Sequence, residues 1–352
     1  MTNGILMRLS DFDYFLPKEL IAIYPPRQRT SARLLKVDRQ NGDLAHHHFF
    51  DLKDFLSAGD VLVLNNTKVI PARIFGQKPT GGRVEALILK KLEQGLCEVL
   101  LKPGGRIKKE MILSFGENGD RFQAEVLDDP APDSGNRKIK FIQPDFEKVL
   151  ERIGHIPLPP YIDRPDTEID RELYQTVFAQ KEGAVASPTA GLHFDHELLD
   201  ALKQKGVEII YVTLHVSHAT FRPVTCENLA EHKMYDEEFE VSEEAAQALQ
   251  KAVAQKRRII ACGTTSARSI ESAVDSAGKV TERKGNTNLF IYPPYSFKVI
   301  SGLITNFHLP KSTLLLLVAA FLGDREKLFR VYEEAIREHY RFYSYGDAML
   351  VL

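Results

Sequence analysis

The sequence has no tryptophan and only three cysteines, Cys97, Cys226 and Cys262, which stand far apart without a CxxC pair. This spacing argues against a disulfide framework and a thiolate zinc site, and is typical of a reducing cytosol. The most apolar run, residues 314–322, is far shorter than the roughly 20 residues that a transmembrane helix needs. No signal peptide is visible. We therefore expect a soluble cytoplasmic protein with no membrane segment.

The usual nucleotide-binding loops are also missing. Gly263-Thr264-Thr265 lacks the following Gly-Lys-Ser/Thr of a phosphate-binding loop, and no GxGxxG segment follows a predicted strand. These absences argue against a P-loop enzyme, a dinucleotide-binding enzyme and the usual glycine-rich methyltransferase. His46-His47-His48 alternate between the two faces of a predicted strand, so they do not converge on a metal. We expect no metal site.

What the sequence does contain is enough chain for two domains, 352 residues with a formal net charge of only -2. Between residues 69 and 141, six short strand-like runs alternate with Gly/Pro turns, which predicts a small antiparallel β-barrel. We therefore divide the chain into a discontinuous α/β domain, residues 1–66 and 151–352, and an inserted β-barrel domain, residues 67–150.

The first part of this predicted barrel is basic. Residues 65–113 hold ten basic and four acidic side chains, a net charge of +6. Such a surface suits a phosphate backbone, but aromatic residues for base stacking are sparse, and a solvated β module remains an equal alternative. The residues expected to contact RNA are Lys68, Arg73, Lys102 and Arg106. Arg27, Arg29 and Arg33 are expected to support the same contact.

The second half alternates strand and helix patterns, which predicts a mainly parallel sheet with flanking helices. Residues 187–194 (SPTAGLHF), Gly263-Thr264-Thr265 and residues 306–313 each lie between a strand pattern and a helix pattern. A loop that feeds a helix presents free N–H groups and the positive end of the helix dipole to an anion. Ligands bind outside the carboxyl ends of parallel strands, so we expect the three loops to form one site, with His193 facing it.

Eight motifs, in order over nearly the whole chain, resemble the S-adenosylmethionine:tRNA ribosyltransferase-isomerases of queuosine biosynthesis. They are residues 60–73 (DVLVLNNTKVIPAR), 157–162 (PLPPYI), 187–194 (SPTAGLHF), 214–221 (LHVSHATF), 231–234 (EHKM), 263–272 (GTTSARSIES), 305–315 (TNFHLPKSTLL) and 345–349 (YGDAM). The family pattern usually has glycines where this chain has Ser217 and Ala219, and side chains there restrict the backbone. The consequence of this change for the loop stays open.

The resemblance implies an α/β domain interrupted by a small β-barrel. It also implies a reaction in which the ribosyl part of S-adenosylmethionine is transferred to 7-aminomethyl-7-deazaguanine at the tRNA wobble position and isomerised. The products are epoxyqueuosine, adenine and methionine. S-adenosylmethionine is then a consumed co-substrate, so no cofactor is expected, and the partner is the anticodon arm of a tRNA. We expect a monomer.

This chemistry needs a base, and imidazole titrates near working pH, so the candidates are His193 and His308, followed by His215 and His232. Arg268 and the amides of Gly263-Thr264-Thr265 are expected to hold the methionine carboxylate. Glu271 is expected to take the ammonium group or to pair with Arg268. The full set expected to bind S-adenosylmethionine is Thr189, Gly191, Gly263, Thr264, Thr265, Arg268, Glu271, Asn306, Ser312 and Thr313.

Two other functions stay open at this point. The first is a non-catalytic RNA-binding module that uses the α/β part as a scaffold. The second is an S-adenosylmethionine-dependent RNA methyltransferase, against which the missing glycine-rich loop argues.

Overall fold

The computed structural model describes residues 7–93, 95–116, 121–132, 134–143, 145–217 and 224–352. The strands within these ranges are β1 (Arg33–Val37), β2 (Leu44–His48), β3 (Val61–Asn65), β4 (Thr67–Val69), β5 (Arg73–Gln77), β6 (Arg83–Glu93), β7 (Leu96–Lys102), β8 (Ile112–Phe115), β9 (Phe122–Val126), β10 (Arg137–Phe141), β11 (Lys181–Ala184), β12 (Glu208–Leu214), β13 (Glu237–Val241), β14 (Ile259–Cys262), β15 (Lys284–Thr287), β16 (Gly302–Asn306) and β17 (Ala348–Val351).

The helices of the same ranges flank these strands. The α-helices are α1 (Leu52–Phe55), α2 (Phe146–Ile153), α3 (Glu168–Leu173), α4 (His196–Gln204), α5 (Glu243–Ala254), α6 (Gly263–Ala273), α7 (Thr313–Leu322) and α8 (Arg325–Arg337). Short 3-10 helices include Arg29–Ser31, Phe49–Asp51, Gly104–Arg106 and Thr189–His193. In the part of the chain that the structure describes, every helix is too short or too polar to cross a membrane.

The large sheet has nine strands in the order β15-β13-β12-β3-β14-β16-β17-β1-β2. Of its eight neighbouring pairs, β12–β3, β3–β14, β14–β16 and β17–β1 are parallel and the other four are antiparallel. The sheet is therefore mixed, and the prediction of a mainly parallel sheet is correct only for its centre. The pattern of alternating strands and helices missed β13 and β15, which add antiparallel pairings at one side of the sheet.

Residues of β3 show how the sheet is buried on both faces. Val61 and Val63 contribute to a hydrophobic core shared with α5, α6, α7 and α8, whereas Leu62 and Leu64 contribute to a second core shared with α1 and α4. Successive side chains of a strand point to opposite faces, so a continuous apolar run is what a strand covered on both sides requires. The main sheet is thus the middle layer of three.

The inserted region is a closed barrel of six strands, β10-β7-β6-β5-β8-β9, and all six pairings are antiparallel. Burial alternates along its strands, as in β10, where Arg137, Ile139 and Phe141 are buried and the two lysines between them are exposed. This confirms the predicted barrel. The strand β4 pairs with β11 in a separate two-stranded sheet next to it. The exact domain boundaries, 66/67 and 150/151, stay predictions.

Candidate active site

A pocket opens where the central strands β12, β14 and β16 end. Its walls come from the loop at residues 187–190, from the first residues of α6 and from the segment that follows β16. The lining residues are Ser187, Pro188, Thr189, Ala190, Val216, Gly263, Thr264, Thr265, Thr305, Asn306, His308 and Leu314. The space between them measures about 390 Å³, open solvent included. The predicted convergence of the three loops is confirmed.

The loop of residues 187–194 reaches this edge by another route than predicted. The strand before it, β11, pairs with β4 and is not part of the main sheet. Instead the Val185 N–H donates to the Val216 carbonyl, 3.1 Å away, just beyond the end of β12. The Thr189 hydroxyl donates to Asn306 Oδ1, 3.1 Å away, and so ties the loop to the end of β16. Two hydrogen bonds therefore hold the loop against the sheet edge.

The three helices near this edge begin in different ways. At α4 the Asp195 carboxylate accepts from the Leu198 N–H at 2.8 Å, and at α7 the Ser312 hydroxyl accepts from the Leu315 N–H at 3.2 Å. The N-cap of α6 is Cys262, which makes no side-chain capping hydrogen bond. The expectation that the helix after residues 187–194 holds an anion is therefore wrong, because a carboxylate already occupies its N-terminus. The open N-terminus belongs to α6.

Gly263 lets α6 start directly at the end of β14. Its φ is +86°, a left-handed conformation that residues with a side chain rarely adopt. The chain therefore turns from strand to helix without a connecting loop, and Gly263, Thr264 and Thr265 all line the pocket. The residues whose backbone N–H groups a helix leaves free in its first turn therefore line the pocket here.

Two hydroxyls in the pocket wall lack a hydrogen-bond partner among the described residues, Ser187 Oγ and Thr265 Oγ1. Both side chains are buried, Ser187 with 4% and Thr265 with 8% of its surface exposed. A buried polar group without a partner costs free energy, so native structures rarely leave one without a purpose. Two such hydroxyls in the lining of one pocket, together with the N-terminus of α6, indicate that a polar ligand completes the site.

His193 lies behind the pocket wall and not in it. The ring is 2% exposed, packs against Phe49 with 4.9 Å between ring centroids, and its Nε2 lies 3.1 Å from Asn306 Nδ2. Burial, reinforced by the charges of Arg341 and Arg29, lowers the pKa of His193 to about 3. The expectation that its ring faces the site is wrong: the imidazole stays neutral and orients the Asn306 amide, which does line the pocket.

His308 is the one predicted histidine in the described pocket lining. Its Nε2 lies 2.8 Å from the Thr305 hydroxyl, and burial lowers its pKa to about 3. His215 lies outside the lining, with Nδ1 2.8 Å from the Thr67 hydroxyl, and His232 packs on Phe290 with 4.8 Å between ring centroids. Burial lowers the pKa of both. The structure therefore brings only His308 to the pocket.

Arg268 and Glu271 are buried in α6 and are not among the residues that line the pocket. The Arg268 guanidinium pairs with the Glu237 carboxylate and donates from Nε to the Leu289 carbonyl at 3.1 Å. Glu271 accepts from the backbone N–H of Lys298 at 2.9 Å and from the Tyr295 hydroxyl at 3.1 Å. Each residue already has protein partners, so the geometry does not support the expected contacts with methionine. Of the two alternatives for Glu271, pairing with Arg268 is wrong.

Three further residues expected to bind S-adenosylmethionine are not among those that line the pocket: Gly191, Ser312 and Thr313. A Cβ at Gly191 would lie 2.9 Å from both Thr176 and Phe178, so this glycine permits close packing away from the pocket. Ser312 caps α7, and Thr313 is the first residue of that helix. Thr189 and Asn306, by contrast, line the pocket as expected. The remaining motif residues 218–221, with His218 and Ala219, lie outside the described residues.

Ion pairs divide the basic residues expected to contact RNA into two groups. Lys68 pairs with Glu182 at 2.9 Å, and Arg73 pairs with Glu85 at 3.3 Å. Arg29 donates to the Leu192 carbonyl at 3.1 Å, so it holds the loop under the pocket. Lys102 and Arg106 are exposed on the barrel. Only these last two of the four residues expected to contact RNA project freely to solvent.

Ser187, Thr305 and Leu314 line the pocket, but the choice of site residues from the sequence did not include them. All three fall inside the motifs that carry the family resemblance. The predicted set already contained hydroxyl residues beside helix starts, such as Thr265 and Ser312. The same signal for anion binding could have added Ser187, whereas the apolar Leu314 gives no such signal.

Comparisons with known proteins agree with these motifs. The family model described as "Queuosine biosynthesis protein" matches residues 9–351. The chain is 50% identical over 344 residues to the S-adenosylmethionine:tRNA ribosyltransferase-isomerase of Fusobacterium nucleatum subsp. nucleatum, covering 97% of this chain and 96% of that protein. The protein of the same name from Sulfurihydrogenibium sp. is 49% identical and covers 98% of this chain and 100% of its own length.

A solved structure is similar as well. It is the crystal structure of S-adenosylmethionine tRNA ribosyltransferase from Thermotoga maritima, 35% identical, with a TM-score of 0.54. The match covers 97% of this chain and 100% of that one. The similarity therefore extends over both the α/β part and the barrel.

Proposed function

The chain belongs to the queuosine biosynthesis protein family, and from this premise we propose that it is an S-adenosylmethionine:tRNA ribosyltransferase-isomerase. It transfers the ribosyl part of S-adenosylmethionine to the aminomethyl group of 7-aminomethyl-7-deazaguanine at the tRNA wobble position. The ribosyl group is isomerised, which gives epoxyqueuosine, and adenine and methionine leave. S-adenosylmethionine is consumed as a co-substrate, and the proposal requires no cofactor or metal.

The observation that carries this proposal is the pocket at the ends of β12, β14 and β16. It combines the N-terminus of α6, two buried hydroxyls that have no hydrogen-bond partner among the described residues, and a histidine. These features suit a small ligand that carries an anionic group, and the chain that builds them is about half identical to named ribosyltransferase-isomerases over nearly its full length. We propose this pocket as the S-adenosylmethionine site.

The histidines take different roles in this proposal. His308 lines the pocket and can accept or donate a proton at the substrate, so it is the base candidate that we retain. A group whose pKa is lowered to about 3 is a weak base in the free protein, and a bound sulfonium, as a cation, lowers that pKa further. The proposal therefore requires the negatively charged RNA to raise the pKa of His308 before it acts. His193 acts through Asn306 as a positioning residue.

The barrel supplies the RNA surface in this proposal. Lys102 and Arg106 are exposed there, so they can meet the phosphates of an anticodon arm without breaking an ion pair. Each phosphate contact adds about one unit to the salt dependence of binding. The double change Lys102→Ala with Arg106→Ala should weaken stem-loop binding and reduce its salt slope by about two. Binding that is independent of salt in the unchanged protein would contradict an RNA-binding barrel.

The decisive assay mixes the full chain with S-adenosylmethionine and an anticodon stem-loop that carries 7-aminomethyl-7-deazaguanine. We expect release of adenine and methionine together with a mass increase of the RNA. A stem-loop with guanine at the wobble position is the control and should give neither. The absence of adenine release would sink the proposal, and a methylated RNA would favour a methyltransferase.

A non-catalytic RNA-binding module makes a different prediction. Only a protein with a specific site for S-adenosylmethionine gains thermal stability from it, by about 2.7 kcal/mol at a hundred times the dissociation constant. Thermal unfolding with and without S-adenosylmethionine, in the absence of RNA, separates the two functions. We place the reaction in the cytoplasm, in keeping with three cysteines that form no disulfide, and propose that a monomer carries it out.

A further inference from the structure

We propose that the first turn of α6, together with the hydroxyls of Ser187 and Thr265, holds the carboxylate of the methionine part of S-adenosylmethionine. This inference rests on the proposed function and goes beyond it, because it assigns one end of the ligand to named atoms. Gly263 and Thr264 contribute the backbone N–H groups that complete the subsite.

The groups of the proposed subsite can donate hydrogen bonds to a ligand. The side chains of Ser187 and Thr265 are more than nine-tenths buried, and their hydroxyls have no partner among the described residues. Hydroxyls and backbone N–H groups can all donate, and an ionised carboxylate is acceptor-only with two oxygens. Backbone N–H groups only donate, so they match the acceptor oxygens of a carboxylate and not an ammonium group, and the two hydroxyls can donate to the same oxygens.

The charge of the pocket wall also favours a carboxylate. None of the described lining residues is an Asp, Glu, Lys or Arg, and burial lowers the pKa of His308 so that it is neutral at pH 7. The N-terminus of α6 places the positive end of the helix dipole at the pocket, where it attracts anions and repels cations. S-adenosylmethionine carries a carboxylate, an ammonium and a sulfonium. The carboxylate is the only one of these that the open N-terminus of α6 attracts.

Arg268, which the sequence predicts as a carboxylate ligand, already has another partner. It lies one turn further along the same helix, and its guanidinium forms an ion pair with Glu237. The Glu237 carboxylate also accepts from the Ser217 N–H at 2.9 Å, close after the pocket residue Val216. The ion pair thus occupies the Arg268 guanidinium and leaves the helix dipole and the hydroxyls to bind the anion.

The experiment compares the affinity for S-adenosylmethionine with that for its decarboxylated form, measured by calorimetry without RNA. Hydrogen bonds to a charged group contribute enough for about a 10-fold or larger difference. We expect the unchanged protein to bind the decarboxylated form at least about 10-fold more weakly. Thr265→Val and Ser187→Ala should each weaken the binding of S-adenosylmethionine by about 10-fold and leave the binding of the decarboxylated form unchanged.

Ser266→Ala is the matched control. Its hydroxyl is also buried and unpartnered among the described residues, and it lies in the same helix turn, but it does not line the pocket. This change should leave both affinities as they are. Equal binding of the two ligands by the unchanged protein would overturn the subsite, as would a loss that is the same for both ligands in Thr265→Val and Ser187→Ala.

Two further outcomes separate this inference from the function itself. If adenine is released from the modified stem-loop but the two ligands bind equally, the subsite is wrong and the enzyme assignment stands. If Thr265→Val weakens stem-loop binding but not S-adenosylmethionine binding, the anion held at α6 is an RNA phosphate and the proposal is overturned. Ser187 lies outside α6, so its variant tests the subsite even if Thr265→Val fails to fold.

Discussion

The wall of the pocket and the layer directly behind it contain opposite kinds of side chain. The wall consists of small, uncharged residues, and the hydroxyls of Ser187 and Thr265 in it are unpartnered among the described residues. The layer behind contains His193, Arg268 and Glu271, which are charged or titratable and have protein partners. A buried charge is costly unless it is paired, so this chain uses its charged groups to fix the wall.

This difference explains which site residues the sequence could reveal. Motif order identified the three loops, because strand and helix patterns place them at one sheet edge. Residue chemistry alone did not identify which side chains face the ligand. Arg268 and Thr265 are only three positions apart on α6, yet one faces Glu237 and the other faces the pocket.

The largest effect on stability should come from a change in the layer behind the pocket wall. Removing one partner of a buried ion pair leaves the other charge uncompensated, at a cost of about 3–5 kcal/mol. Arg268→Gln should therefore lower the free energy of unfolding by about that amount in denaturant titrations, and adding Glu237→Gln should restore part of it. A stable Arg268→Gln protein that no longer binds S-adenosylmethionine would show that Arg268 binds the ligand. This result would contradict the distinction between the pocket wall and the layer behind it.

A second prediction concerns acid stability. His193 and His308 have folded pKa values of about 3, below the unfolded value of 6.5. Between pH 6.5 and 3 the unfolded chain binds protons that the folded chain does not, so each histidine lowers stability as the pH falls, by about 1.4 kcal/mol per pH unit.

His193→Gln and His308→Gln should therefore each lose about 2 kcal/mol less stability between pH 7 and pH 5 than the unchanged protein does. The measurement is chemical unfolding at both pH values. The exposed His196→Gln serves as the control. An unchanged loss in both variants would show that these imidazoles are solvated and not part of a dry layer.

The smallest effect on stability should come from the wall itself. Gly263→Ala places a side chain at φ +86°, which costs about 1–2 kcal/mol, and its Cβ would lie 3.6 Å from that of Ala190 in the opposite wall. Gly323→Ala has a similar φ of +74° with nothing within 4 Å of the new Cβ. Both changes should lower the melting temperature alike, but only Gly263→Ala should weaken S-adenosylmethionine binding. Equal binding by the two variants would remove α6 from the site.

Much of the fold could be predicted from the sequence, and the reasons are physical. The barrel was accessible because its strands alternate buried and exposed residues between Gly/Pro turns, and β3 because its apolar run suits a strand buried on both faces. The strand β15, with the sequence KGNT, has no apolar signature, since it pairs at the edge of the sheet. Its position depends on tertiary pairing with β13, which no local pattern encodes.

The helix starts show the same limit. The sequence shows a loop before α4, before α6 and before α7, but only the structure shows that Asp195 and Ser312 cap two of them. Asp195 lies directly after the motif of residues 187–194. Its carboxylate caps α4, the helix whose N-terminus was expected to bind an anion. A capping residue next to a candidate anion site is therefore a signal that future sequence interpretation should weigh.

The most direct test of this account is a crystal structure of the protein with S-adenosylmethionine and no RNA. The account predicts a methionine carboxylate within hydrogen-bonding distance of Thr265 Oγ1, Ser187 Oγ and the first backbone N–H groups of α6, with the Arg268–Glu237 pair intact. A carboxylate bound to Arg268 or at the N-terminus of α4, or a ligand outside the pocket, would contradict it.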